Sequence, residues 1–319
     1  MKYTYKRLTL DSYLTSLYED GFNKSSKLND NEIKNSIENI GIFKFKGYVK
    51  AFRQDVSKFS IDDIINLYSV DREISSKIFE LSSSIEIRLK AYLIDIVYNL
   101  TDNPFFYLIE DNYSDEFSIN NDSLYDWEVK PYKRKQKSEV YLHYRDYYLE
   151  NYDYKLNKEE YLSSQNLINL NETLDINYPP FHYFIENITL GALIKIISKL
   201  NINDHSILKH LANKFNMYDA KVFLNYLLRL KEIRNRCAHN GRLFNRNYRG
   251  VKAYGIHKKF RETIYEHKLI DVYYSLCILL EDTKDINIVD DLIEKFKNSI
   301  LVSCDDSLKE FMINIMKTR

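Results

Sequence analysis

Glycine and proline are scarce, with 7 and 4 residues in a chain of 319. Turn-dense β architectures need far more of both, so their scarcity excludes a sandwich or barrel and predicts an all-α protein. Cysteine is rarer still: Cys237, Cys277 and Cys304, with no CxxC pair. An odd, sparse set argues against a disulfide scaffold or a zinc site and for a reducing compartment. The seven histidines form no HExxH-type pairing, so no metal and no cofactor is expected. Net charge is also missing, since Lys+Arg and Asp+Glu both number 46. A nucleic-acid binder of this composition cannot rely on global attraction and needs a local basic patch. The N-terminus MKYTYKRLTLDSYL lacks the apolar core of a signal peptide. The longest apolar run, near VYYSLCILL (272–280), is shorter than the roughly 20 residues that span a bilayer. A soluble cytoplasmic protein with no membrane partner is expected.

What is present is helical periodicity over a large apolar fraction, 45% of the residues. The 28 tyrosines and the single Trp127 carry no functional reading. Residues 7–20 read as a short amphipathic helix with Leu10, Leu14 and Leu17 on one face. A second helix starts near the capping pair Asn29–Asp30 and ends at Gly41. IGIFKFKGYVKAFR (40–53) alternates apolar and basic residues, which fits a short strand or an irregular basic turn. From Ile61 to Leu100, Ile74, Ile78, Leu81, Ile85, Leu89 and Leu93 recur at three- and four-residue steps. This predicts one long core helix, or two meeting near Ser82–Ser84. Residues 111–178 break the pattern and read as an insertion with a helix or two of its own. Its basic run KPYKRKQK (130–137), followed by tyrosine-rich sequence, has the composition of a single-strand binder but reads better as a solvated loop. Helices return at 181, and the tail from Phe260 to Met316 predicts two or three more.

The densest chemistry is at the end of one helix, DAKVFLNYLLRLKEIRNRCAH. Phe223, Tyr226, Leu227, Leu230, Ile233 and Cys237 form its apolar stripe, with Cys237 a small packing residue. The helix should stop at Asn240–Gly241, because Asn and Gly tolerate the left-handed cap conformation. His239 then sits at the C-terminal end, where the helix dipole favours a cation, and histidine exchanges protons near neutral pH. Between 229 and 249 lie Arg229, Lys231, Arg234, Arg236, Arg242, Arg246 and Arg249 against one acid, Glu232. A solvated face mixes signs more evenly, so this is a concentrated anion patch suited to phosphate. Asn235 and His239 share a face at i and i+4. Arg234 and His239 lie roughly 140° apart on a regular helix. A site using both needs a bent helix end or a second copy of the helix, as in a homodimer. Such a set suits metal-free cleavage of RNA, in which the ribose 2′-hydroxyl attacks the adjacent phosphorus.

The string RNRCAHNGRLFNR (234–246) resembles the signature of the abortive-infection (Abi) family, the AbiD/AbiF-like group, and RNRCAH resembles the R-x-x-x-x-H motif of HEPN ribonucleases. IENIGIFKFKGYVKAFR (37–53) and SIEIRLKAYL (84–93) resemble further blocks of that family. LYSVDREI (67–74) resembles a block that usually reads LYxFDRxL, with Val70 in place of Phe. PPFHYFIENITLG (179–191) resembles one that usually carries a Trp, with Phe181 and His182 near its place. His182 reads as a packing or capping residue. The likeness covers about residues 7–285, except 111–178.

The resemblance implies a HEPN-type helical bundle with extra N- and C-terminal helices and a central insertion. It divides the chain into an N-terminal helical region (1–110), an insertion (111–178), a HEPN-like core (179–285) and C-terminal helices (286–319). It also implies a homodimer with a composite site, RNA cleavage in antiphage defence, and restraint by an antitoxin, in some relatives a small RNA. Arg234 and His239 would be catalytic and Asn235 would orient. Arg236, Asn240, Arg242, Asn245 and Arg246 would bind RNA, and Glu86 and Arg88 stand as second-tier candidates. Two other classes compete: a non-catalytic RNA-binding protein, and a protein-interaction module whose helix cluster is only a dimer interface.

Overall fold

A computed structural model describes residues 8–54, 56–114, 142–168 apart from 152, 179–254, 258, 267–280 and 310. Helices dominate, as the scarcity of glycine and proline predicts, and the only named sheet among the described residues has two strands of two residues each. The chain forms two compact units. One draws on Met1–Ser82 and Glu232–Arg319, the other on Ser83–Lys231. No helix among the described residues is long and apolar enough to cross a membrane.

The first unit begins with α1 (Leu10–Glu19), which buries Tyr13, Leu14 and Leu17. Helix α2 (Asp30–Ile40) opens with a capping box: the Asn29 side chain accepts from Glu32 N–H, and the Glu32 carboxylate accepts from Asn29 N–H. It ends at Gly41, whose φ of 86° suits a residue without Cβ. Residues 40–53 hold no strand. Ile42–Val49 form α3, and a turn is confined to residues 50–53 that follow it. Phe45, Tyr48, Val49 and Phe52 are buried at three- and four-residue spacing, and this helical period overrides the alternation of apolar and basic residues. Phe43, which the alternation pairs with Phe45, is 73% exposed.

Helix α4 (Ile61–Tyr98) is a single helix of 38 residues, unbroken at Ser82–Ser84. Ser82 is fully buried and donates its hydroxyl to the Ile78 carbonyl at 2.7 Å, so the serine satisfies itself within the helix. The boundary between the units falls within α4, and a second crossing falls within α9 (Ala220–Ala238).

The second unit contains α5 (Tyr154–Leu162), α6 (Phe181–Asn187), α7 (Leu190–Lys199) and α8 (Ile207–Lys214). A π-helical turn at Tyr144–Leu149 precedes α5, so the described part of 111–178 does carry helix. The basic run 130–137 and Trp127 lie outside the described residues. Between α7 and α8, strands β1 (Asn201–Ile202) and β2 (His205–Ser206) pair antiparallel, with Asn201 opposite Ser206. Asn203 and Asp204 turn the chain with φ of 49° and 66°, the tight-hairpin geometry that Asn and Asp tolerate. His182 is a packing residue: its Nδ1 lies 2.8 Å from the Tyr98 hydroxyl, and burial lowers its pKa. In the tail, α10 (Leu269–Leu280) is described, and residues 286–309 lie outside the described set.

Candidate active site

Helix α9 closes as its sequence predicts. Phe223, Tyr226, Leu227, Leu230, Ile233 and Cys237 are all buried. Asn240 takes a left-handed φ of 51°. Its N–H donates to the Cys237 carbonyl at 3.0 Å, and Gly241 N–H reaches back to the Arg236 carbonyl at 2.8 Å. These two bonds define a Schellman cap. Gly241 is required by close approach: a Cβ there would lie 2.8 Å from Arg236 Cγ and 3.2 Å from Arg236 O. His239 N–H still bonds to the Asn235 carbonyl at 3.0 Å, so α9 keeps its helical register up to the cap. No bend brings Arg234 and His239 together. His239 is exposed, and its ring makes no hydrogen bond among the described residues. Asn235 is exposed beside it, accepting from Arg234 Nη1 at 3.3 Å. The Arg234 guanidinium also lies over the Phe79 ring, 5.9 Å from its centroid.

The chain beyond the cap is fixed by a residue that the sequence reading passed over. Asp71, on α4, is fully buried. Its carboxylate accepts from Leu243 N–H at 3.0 Å, Phe244 N–H at 3.1 Å, Tyr48 hydroxyl at 2.5 Å and Arg72 Nη2 at 2.8 Å. Arg72 continues the clamp, donating to Gly241 O at 2.9 Å and Asn240 Oδ1 at 3.3 Å. Burial, and then the Asp71 charge, push the Tyr48 phenol far above its ordinary pKa, so it stays a donor. A visible signal was available: Asp71 sits on the apolar stripe of Leu67, Ile74 and Ile78, where an acid needs a buried partner. Three sequence blocks that resemble one family thus meet here: Tyr48 from the first, Asp71–Arg72 from the second, and residues 240–244 from the third.

The basic cluster is thinner than its sequence implies. Arg229 is 1% exposed and belongs to the buried face of α9, not to an anion patch. Arg236 pairs with Glu232 at 3.6 Å and lies over the Tyr248 ring at 5.6 Å. Arg242 is half-buried. Its Nη1 lies where a Cβ on Gly47 would approach to 3.3 Å, and its guanidinium lies 6.0 Å from the Tyr48 ring centroid. Its Nε and Nη1 are buried without a hydrogen-bond partner among the described residues. Burial first, and the nearby Arg246 cation second, lower its pKa. Arg246 is exposed, and Asn245 takes a left-handed φ of 52°.

Glu86 and Arg88 fall in the other unit. Glu86 lies 4.0 Å from Lys90, which also pairs with Glu186 at 3.7 Å, and the Arg88 guanidinium lies 5.9 Å from the Tyr92 ring centroid. Cys237 is a packing residue, its thiol pKa raised by burial.

A helical protein with an exposed polar helix end, clamped from beneath by a buried acid, is the class that fold and site define. The family model described as "Abi-like protein" matches residues 35–245, more than half of the chain. The chain therefore belongs to the Abi-like protein family, and that membership points to abortive-infection defence against phage. No curated protein and no solved structure matches it. The matched segment contains Tyr48, Asp71, Arg72 and the whole of 234–245.

Proposed function

We propose that this protein is a metal-independent endoribonuclease of the HEPN type, acting as an abortive-infection toxin against phage and restrained by an antitoxin RNA or protein. The observation that carries the reading is the end of α9. Arg234 reaches solvent, Asn235 and His239 are exposed, and a capped helix and a buried clamp hold the backbone beneath them. Packing alone does not call for an exposed histidine and an arginine–asparagine pair on such a rigid frame.

The chemistry needs few groups. A base takes the proton of the ribose 2′-hydroxyl, and the 2′-oxygen forms a bond to the adjacent phosphorus. The bond from phosphorus to the 5′-oxygen breaks, and an acid protonates the leaving oxygen. A 2′,3′-cyclic phosphate and a free 5′-hydroxyl result. His239 is assigned to proton transfer, Arg234 to the charge that develops on the phosphoryl oxygens, and Asn235 to orienting Arg234. With α9 in register to its cap, Arg234 and His239 of one chain point roughly 140° apart. The composite site is therefore assigned to a homodimer, in which Arg234 of each chain serves His239 of the other.

One observation favours a second reading, a non-catalytic RNA-binding protein: no hydrogen bond among the described residues orients the His239 ring. The test separates the two. Wild type and His239→Ala are expressed under tight induction, and growth is followed with total RNA on a gel. The ribonuclease reading expects arrest with RNA fragmentation by the wild type and neither by the variant. RNA binding with equal toxicity of both proteins and intact RNA gives the second reading the lead.

A further inference from the structure

Within the first unit, α4 and the end of α9 run antiparallel, and three contacts fix their register. Arg72 Nη2 donates to Gly241 O at 2.9 Å. Ser75 hydrogen-bonds Cys237. The Arg234 guanidinium lies over the Phe79 ring, 5.9 Å from its centroid. Positions climb along α4 from 72 through 75 to 79 as they descend from 241 through 237 to 234. Arg72 and Phe79 stand seven residues apart, and so do Gly241 and Arg234. Seven residues bring a helix back to within about 20° of the same face, roughly 10 Å along the axis. One face of α4 therefore holds the α9 end at two points, the cap through Arg72 and Arg234 through Phe79.

Phe79 does not belong to the apolar stripe of α4. It is 39% exposed, while Ile78 beside it is fully buried and its neighbours Ser76 and Glu80 are exposed. Isolated apolar side chains on a surface are ordinary, so exposure alone assigns the ring nothing. Its register opposite Arg234 does. Arginine has many rotamers, and a contact that narrows them fixes where its charge is delivered. A ring face attracts a guanidinium through its quadrupole. Unlike a carboxylate, it cancels none of the charge that a phosphate would meet. Asn235 Oδ1, accepting from Arg234 Nη1 at 3.3 Å, gives the same guanidinium a second support.

We propose that Phe79 is a positioning residue of the ribonuclease site, its ring holding the Arg234 guanidinium in place for the phosphoryl oxygens. The proposal rests on the ribonuclease reading and adds to it a residue from α4.

The test uses the full chain and three forms of it. Phe79→Leu keeps an apolar side chain and removes the ring face, whereas Phe79→Tyr keeps both. On a short RNA substrate, Phe79→Leu should lower kcat about two- to fivefold, the rate equivalent of one exposed cation–π contact. KM should not change, since only the placement of Arg234 is lost. Phe79→Tyr should keep the wild-type kcat. A second readout needs no activity: the Arg234 Nε–H proton resonance, identified by its absence in Arg234→Lys. Ring current should hold it upfield in the wild type and in Phe79→Tyr, and it should move downfield in Phe79→Leu. Wild-type kcat in Phe79→Leu overturns the proposal. An equal loss of kcat in Phe79→Tyr also overturns it, because the ring face is then not what matters. If the wild type cleaves no RNA, the ribonuclease reading falls, and the resonance still decides whether the ring holds Arg234.

Discussion

Helix α4 carries charged pairs in both units, Asp71–Arg72 among those in the first and Glu86–Lys90 in the second. By sequence they look alike, acid and base on one helix. Asp71 is fully buried and accepts from two backbone N–H groups, a phenol and a guanidinium. Glu86 faces Lys90 at 4.0 Å, and that lysine also pairs with Glu186 at 3.7 Å. The difference teaches what turns an ion pair into a positioning device. The Glu86 and Lys90 side chains are 15% and 13% exposed, so water still reaches both partners and weakens their attraction at 4.0 Å. A carboxylate taken out of water must instead be satisfied by donors of fixed direction, and here two of those are backbone groups of residues 172 and 173 positions away. Asp71 therefore sets where the chain goes after α9, and so what surrounds His239.

Removing Asp71 should have the largest effect. Asp71→Ala strands the N–H groups of Leu243 and Phe244 and the Tyr48 hydroxyl, and should cost about 3–5 kcal/mol in urea unfolding. Growth arrest should disappear with it. A loss below about 1 kcal/mol would place Asp71 in the same class as Glu86 and end the contrast. Gly241→Ala comes next. Its Cβ meets Arg236 Cγ and carbonyl oxygen, so the cap must open, at about 1–3 kcal/mol. RNA cleavage should fall by more than stability explains, which a comparison at temperatures well below unfolding would show. Asn240→Ala should cost about 1 kcal/mol through its left-handed backbone. Asn240→Gly should cost less, and the difference between the two isolates the backbone from the lost Arg72 contact. The smallest effect is expected for Glu86→Gln: under about 1 kcal/mol, with growth arrest intact. Loss of arrest without loss of stability would instead give Glu86 a role in the site.

Local features were legible where one helix decides them. The stripe of α9, its stop at Asn240–Gly241 and the cap at Asn29 all follow from spacing and from backbone preferences of single residues. The same rules contained α3, because Phe45, Tyr48, Val49 and Phe52 have helical spacing. Apolar–basic alternation over the same residues competed with it, and only burial settles which period counts. Arg229 was misassigned for a related reason. It flanks the stripe of Tyr226, Leu230 and Ile233, and a long guanidinium at such a position is drawn inside only if the fold supplies partners.

By itself the sequence determined the helical class, the polar end of α9 and the types of group that meet there. Each depends on chemistry within a few residues along the chain. Tertiary structure alone decided that Asp71 and Arg72 hold residues 240–244, that Arg229 leaves the basic cluster, and that Asn247 and Tyr248 meet Lys268 and His267 at the start of α10. Those outcomes depend on which distant segments share a low-dielectric interior. Burial makes an unpaired donor or charge costly enough to fix geometry, and no local spacing encodes where that burial falls.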